Sequence, residues 1–122
     1  MLYVLVRGRN AQLAEQRFFD RLNHFELFNE EINHLVKMQR IVVICGDLAQ
    51  PQLALSTADF KRLGREVSVI YHVGSYVNHV SGYQTMRASN VNGTTEILRL
   101  ACMEEGPMTT VRVAIFPLCV CP

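Results

Sequence analysis

Several things are scarce in this chain of 122 residues, and each scarcity removes a class of function. There is no excess of charge of either sign. The formal net charge is +1, which leaves no electrostatic basis for binding nucleic acid or an anionic membrane. There is no long hydrophobic run. Val69 to Val80 is interrupted by His72, Asn78 and His79, far short of the roughly 20 apolar residues a membrane span needs. "MLYVLVR" is too short for a signal-peptide core, and no small-residue cleavage site follows it. Cys45, Cys102, Cys119 and Cys121 form no CxxC pair and have no histidine-rich partner motif. Free thiols in a reducing cytoplasm are therefore expected. His72 and His79 lie seven apart, which is no zinc spacing, so no metal site is expected. Cys45 inside a strand and Cys102 inside a helix offer no Cys–His nucleophile.

What is present is an ordinary folding composition. A hydrophobic content of 49% with 19% charged residues excludes a disordered tail, and the length allows one domain or part of one. "LYVLV" (2–6) and "IVVIC" (41–45) are compact apolar runs of the kind found in strands buried on both faces, and Val67 to Tyr71 is a third strand. Asn10 is placed to cap a helix running to about Phe25, with Leu13, Phe18, Phe19 and Leu22 as its apolar stripe. Leu27 to Met38 has helical spacing. Ser56 with Asp59 three residues on has the form of a capping box, opening a helix to about Gly64. "LAQPQLALS" (48–56) is expected to be a surface loop. Tyr83 to Met103 is mostly helical, stopped by Gly106-Pro107, and Thr110 to Phe116 is a candidate fourth strand. Strands that are apolar throughout and alternate with helices predict an α/β fold with a parallel sheet covered by helices.

In open parallel α/β sheets, ligands sit beyond the carboxyl ends of the strands. Those ends carry Arg7 and Arg9, then Gly46-Asp47-Leu48, then His72-Val73-Gly74-Ser75. A cation for a phosphate, a carboxylate beside an adenine and small residues near the backbone make the layout of a dinucleotide site. One oddity remains. Asn90, Asn92 and Gly93 are poor helix formers in the middle of a helical segment.

Three stretches, "LYVLVRGR", "IVVICGDLAQPQLALS" and "VSVIYHVGSYVNHVSGYQTMRASNVNGTTEILRLA", resemble in order and spacing the thioester reductase domains. These domains end non-ribosomal peptide and polyketide synthetases and occur in carboxylic acid reductases. They belong with the male-sterility-type extended short-chain dehydrogenase/reductases. The resemblance covers about residues 2–103, while 104–122 match poorly. It implies a partial Rossmann-type sheet and reduction, by NADPH, of an acyl or peptidyl thioester carried on a phosphopantetheinyl carrier protein to an aldehyde or alcohol.

By position, the resemblance implies that Arg7 meets the 2′-phosphate of NADP and that Arg17 is a second basic residue in the following helix. It places Asp47 on the adenine amino group, Leu48 against the adenine ring, and Gly74, Ser75, Val77 and Asn78 in the loop lining the adenosine side. It makes Asn90 the asparagine of the helix beneath the active site, holding a local distortion there, with a scaffold role only. It implies for Gly93 the close approach of a neighbouring element. The family pattern is also broken. No G-x-x-G-x-x-G turn precedes Leu2, and none of Tyr3, Tyr71, Tyr76 and Tyr83 has a lysine four residues on. On this reading the chain is a piece of a cytoplasmic reductase domain, inactive alone. The alternative is a nucleotide-binding or interaction fragment that associates with a complementing chain.

Overall fold

The computed structural model describes residues 1–78, 80–103, 106–107 and 109–113, and these fall into two compact units, Met1–Asp47 and the residues from Leu48 onward. In the first unit, β1 (Leu2–Val6) and β2 (Ile41–Cys45) pair in parallel, with Leu2 opposite Ile41 and Val6 opposite Cys45. Between them run α1 (Ala11–His24) and α2 (Glu30–Lys37). Asn10 caps α1 as expected, its side chain accepting from the Leu13 amide at 2.8 Å. Ala14, fully buried, sits so close to the β1–α1 turn that a Cβ on Gly8 would lie 2.9 Å from the Ala14 nitrogen.

The second helix starts later than its apolar spacing suggests. Asn29 caps it through the Ile32 amide at 2.9 Å, and Glu30 and Glu31 in its first turn complement the helix dipole. Residues 27–29 instead belong to the exit from α1. There the Leu27 amide donates to the Leu22 carbonyl at 2.8 Å, and Glu26 is left-handed with φ 55°. The end of α2 repeats this, with the Arg40 amide donating to the Leu35 carbonyl at 2.8 Å and Gln39 at φ 53°. Both are Schellman endings built without the usual glycine, so no glycine announces them in the sequence.

The second unit holds α3 (Thr57–Glu66), β3 (Val69–His72), a continuous helical stretch from Tyr83 to Ala101, and β4 (Thr110–Val113). Strands β3 and β4 are parallel, Val69 facing Thr110 and His72 facing Val113. The part of the fourth strand expected from Ala114 to Phe116 lies outside the described residues, as do His79, Cys119 and Cys121. The capping box at α3 is present: Ser56 Oγ accepts from the Asp59 amide at 3.1 Å and donates to its carboxylate at 2.7 Å. Gly64 does not end this helix, which runs on to Glu66. Its missing Cβ leaves room for the Met103 side chain. The third strand begins two residues later than expected, at Val69; ahead of it the Val67 and Ser68 carbonyls accept from the Thr109 hydroxyl and the Thr110 amide.

The segment expected to be a surface loop is part of the core. Leu53 is 2% exposed and joins Phe60, Leu63, Ile97 and Leu100 as the buried apolar set of this unit. It gets there through a tight turn, Pro51–Ala54, in which Gln52, Leu53 and Ala54 are all left-handed, at φ 51°, 59° and 59°. Each such residue costs an L-amino acid about 1–2 kcal/mol. Burial of Leu53 offsets part of this, as does the Gln52 amide donating to Glu96 Oε2 at 2.9 Å across the unit. The strands, by contrast, are less buried than their sequences suggest. No residue of β1 or β2 is fully buried, and in β3 only His72 is. Each described sheet has two strands, so each strand has one neighbour within the described residues.

Replacing Ala54 with glycine removes the steric penalty at φ 59° and keeps every hydrogen bond of the turn. Ala54→Gly is expected to stabilise the chain by about 0.5–1 kcal/mol after the entropic cost of glycine. Thermal denaturation followed by circular dichroism checks this, and a lowered midpoint would contradict the left-handed turn.

Candidate functional site

In the first unit, three of the residues singled out in the sequence come together. Arg7 leaves the carboxyl end of β1 and Asp47 that of β2, and parallel pairing in register brings them side by side. Arg7 Nε lies 3.5 Å from Asp47 Oδ2. Arg17, on the exposed face of α1, donates to the Arg7 carbonyl at 3.2 Å. The Arg7 side chain is 75% exposed, so the ion pair adds little stability. An exposed guanidinium can exchange a carboxylate for a phosphate, which it can hold by two parallel hydrogen bonds.

In the second unit, the element that matters is the helix from Tyr83. It is α-helical over Tyr83–Arg87 (α4) and again over Gly93–Ala101 (α5). Between them Ala88–Asn92 form a widened turn in which the Gly93 amide bonds five residues back, to the Ala88 carbonyl. Two threonine hydroxyls bond back onto this turn: Thr94 donates to the Asn90 carbonyl at 2.6 Å and Thr95 to that of Val91 at 3.0 Å.

The Asn90 side chain is used elsewhere. Its Oδ1 accepts from the Tyr76 amide at 2.7 Å and its Nδ2 donates to the Tyr76 carbonyl at 2.9 Å, so both sides of one residue's backbone are clamped. The poor helix former thus fastens the loop after β3 to the helix. Gly93 has a separate cause, since a Cβ there would lie 2.7 Å from the Leu48 carbonyl oxygen. A Cβ on Gly74 would run into Leu48 Cδ1. Both glycines therefore make room for Leu48, one for its backbone and one for its side chain. Ser75 and Val77 are exposed on the loop between.

His72, at the end of β3, stands out in the sequence only for its place and its spacing to His79. It is 7% exposed, and its Nε2 lies 3.0 Å from Thr94 Oγ1. The Thr94 proton is committed to the Asn90 carbonyl, so the hydroxyl oxygen accepts and His72 carries its proton on Nε2. Burial holds the imidazole below its ordinary value of 6.5. The only trace of this in the sequence is the i, i+4 spacing of Asn90 and Thr94. Cys102, expected inside the helix, instead follows it as the exposed C-cap of α5.

Parallel strands, intervening helices and polar residues at the carboxyl ends define a Rossmann-like nucleotide-binding fold. The family model described as male sterility protein matches residues 1–115, and the chain belongs to that NAD-binding family, which implies a nicotinamide cofactor. Among curated relatives, a linear gramicidin synthase protein of Brevibacillus parabrevis is 40% identical over 104 residues, covering 85% of this chain and 2% of its own length. The non-canonical nonribosomal peptide synthetase cpsA of Aspergillus campestris is 34% identical over 99 residues, covering 81% of this chain and 9% of its own. Among solved structures, the terminal R domain of the myxalamid PKS-NRPS pathway superposes with a TM-score of 0.75 at 40% identity. The match covers 91% of this chain and 26% of the R domain chain. The PhqB reductase domain of Penicillium fellutanum gives a TM-score of 0.69 at 26% identity, over 93% of this chain and 28% of that one. The chain thus spans a small part of each protein it resembles, and its relatives are reductase domains of peptide and polyketide synthetases. Among the described residues, no helix is long and apolar enough to cross a membrane.

Because the folded state holds His72 below its ordinary value, unfolding takes up a proton as the pH falls. The stability this group contributes is complete above pH 6.5 and is lost as the pH drops through the lowered folded value. Urea denaturation between pH 5 and 8 is expected to show wild type losing stability on the acid side relative to His72→Gln, and parallel curves would contradict a buried neutral imidazole.

Proposed function

We propose that this chain is part of an NADPH-dependent reductase domain that converts a carrier-bound acyl or peptidyl thioester to an aldehyde or alcohol. The observation that carries the reading is the cluster of Arg7, Arg17 and Asp47 at the carboxyl ends of two paired parallel strands, in a chain whose relatives are synthetase reductase domains. Bound NADPH supplies hydride to the thioester carbonyl carbon. Arg7, with Arg17 behind it, takes the adenosine 2′-phosphate, which selects NADP over NAD. Asp47 accepts from the adenine amino group and Leu48 lies along the ring. Gly74, Ser75 and Val77 belong to the adenosine-side loop, and Asn90 is the scaffold that holds that loop. The partner that delivers the thioester is a phosphopantetheinyl carrier protein, and the setting is cytoplasmic.

One observation favours a second reading, an interaction fragment completed by another chain. Apolar strand residues expected to be buried are open to solvent, Leu2 at 53%, Val69 at 42% and Tyr71 at 66%. A complementing chain that packs on the sheet face would cover such residues.

The test is a titration of isotope-labelled chain by NMR, which detects weak binding, with 2′,5′-ADP and with 5′-ADP. The expected result is shifts at Arg7, Arg17 and Asp47, with 2′,5′-ADP bound about tenfold more tightly and the preference abolished by Arg7→Ala. That factor corresponds to about 1.4 kcal/mol, as expected for one charge-assisted contact. Equal affinity for the two nucleotides, or no shift at these residues, would count against the reading.

A further inference from the structure

The second unit carries an open depression that uses none of the residues the nucleotide reading assigns. It has a volume of about 280 Å³ and is lined by Ala49, Gln50 and Pro51 on one wall and by Asn92, Thr95 and Glu96 on the other. The walls are held in place without a ligand. Glu96 ties them together, its Oε2 accepting from the Gln52 amide at 2.9 Å. Pro51 has a fixed φ, and the three residues after it are the left-handed Gln52, Leu53 and Ala54. Strained backbone of this kind collects at ligand clamps, and a wall that is already rigid lowers the cost of ordering on binding.

Charge in the depression is already balanced. Glu96 is its one charged lining residue, with a side chain only 13% exposed, and its Oε1 accepts from Arg99 at 2.8 Å. A phosphate would therefore meet a carboxylate, and a cationic ligand would compete with Arg99. What the walls offer instead is a pair of carboxamides. Gln50 and Asn92 are exposed, and neither side-chain amide makes a hydrogen bond among the described residues. The Thr95 proton is committed to the Val91 carbonyl, so its hydroxyl adds an acceptor. A carboxamide presents a donor beside an acceptor, which matches the amide and carbonyl of one extended residue. The chain itself uses that match two positions earlier, where Asn90 holds both backbone groups of Tyr76. We propose that Asn92 clamps, in the same way, the amide and carbonyl of one residue of an extended, uncharged peptide segment lying in the depression, with Gln50 donating to the next carbonyl. The volume falls just under the usual range for small-molecule pockets, which begins at about 300 Å³, and suits a short stretch of chain rather than a cofactor.

This site goes beyond the reductase reading and does not depend on it. The probes are N-acetyl-trialanine N-methylamide and its depsipeptide analogue, in which an ester oxygen replaces each alanine N–H. NMR titration of isotope-labelled wild type is expected to show shifts at residues 49–51 and 92–96. The peptide should bind about three- to tenfold more tightly than the depsipeptide, the range for one neutral N–H donor. Asn92→Leu, which favours the helix, should abolish that preference. Gln50→Met should weaken both probes alike and leave the preference intact, since the carbonyls are common to both. Unchanged melting temperatures separate loss of the clamp from loss of fold, and should Asn92→Leu fail to fold, the two probes on wild type still decide. The proposal is overturned if wild type shows no shifts at these residues, if it binds both probes equally, or if the preference survives in Asn92→Leu.

Discussion

Leu48 is the residue on which the arrangement of the second unit depends. Its side chain fills the space that a Cβ on Gly74 would need, and its carbonyl lies where a Cβ on Gly93 would be. One residue thereby sets the approach of the chain leaving the second strand, the loop after the third strand, and the helix at its π-turn. Larger side chains at either glycine would have to displace backbone or a packed leucine, and cores of normal density have little room for that. The two glycines are therefore explained by packing: Gly93 admits a neighbouring element, as the family resemblance implies, and Gly74 does so in a loop that the resemblance puts on the adenosine side.

The same region shows polar groups shared out under tight constraints. Thr94 and Thr95 donate back to carbonyls of the widened helical turn, while the Asn90 side chain holds Tyr76. Thr94 then accepts from His72, so strand end, helix and loop are joined by one chain of hydrogen bonds. Opposite this lies the left-handed turn at Gln52–Ala54, fastened by Glu96 from the same helix. Glu96 also bonds Arg99 at 2.8 Å, which keeps its carboxylate in place for the Gln52 amide.

Much of this is legible in the sequence where local chemistry and tertiary need agree. Asn10 and the Ser56–Asp59 pair are caps because their side chains bond nearby amides, a property of spacing alone, and they fall where spacing places them. The runs 2–6 and 41–45 are strands with the expected bounds, and they pair in parallel. The distortion expected at Asn90 is there. What is not legible depends on partners distant in the chain. Leu53 reaches the core only through three consecutive left-handed residues, and nothing in Gln-Leu-Ala favours that conformation. Gly64 looks like a helix stop until Met103 is seen to occupy its missing side chain. The helix ends at Glu26 and Gln39 carry no glycine, so apolar spacing alone starts α2 too early. His72 is invisible as a hydrogen-bonding group because its partner, Thr94, lies 22 residues away.

The claim that Leu48 is wedged between two glycines can be tested most directly by a nuclear Overhauser measurement on methyl-labelled chain. The structure requires strong cross-peaks from a Leu48 δ-methyl to the Gly74 α-protons, and from the Leu48 β-protons to those of Gly93. Both sets present would place the loop and the helix as described. If the Leu48 methyls instead show only sequential contacts, the wedge is absent, and the positions of Asn90 and Tyr76 that depend on it lose their basis.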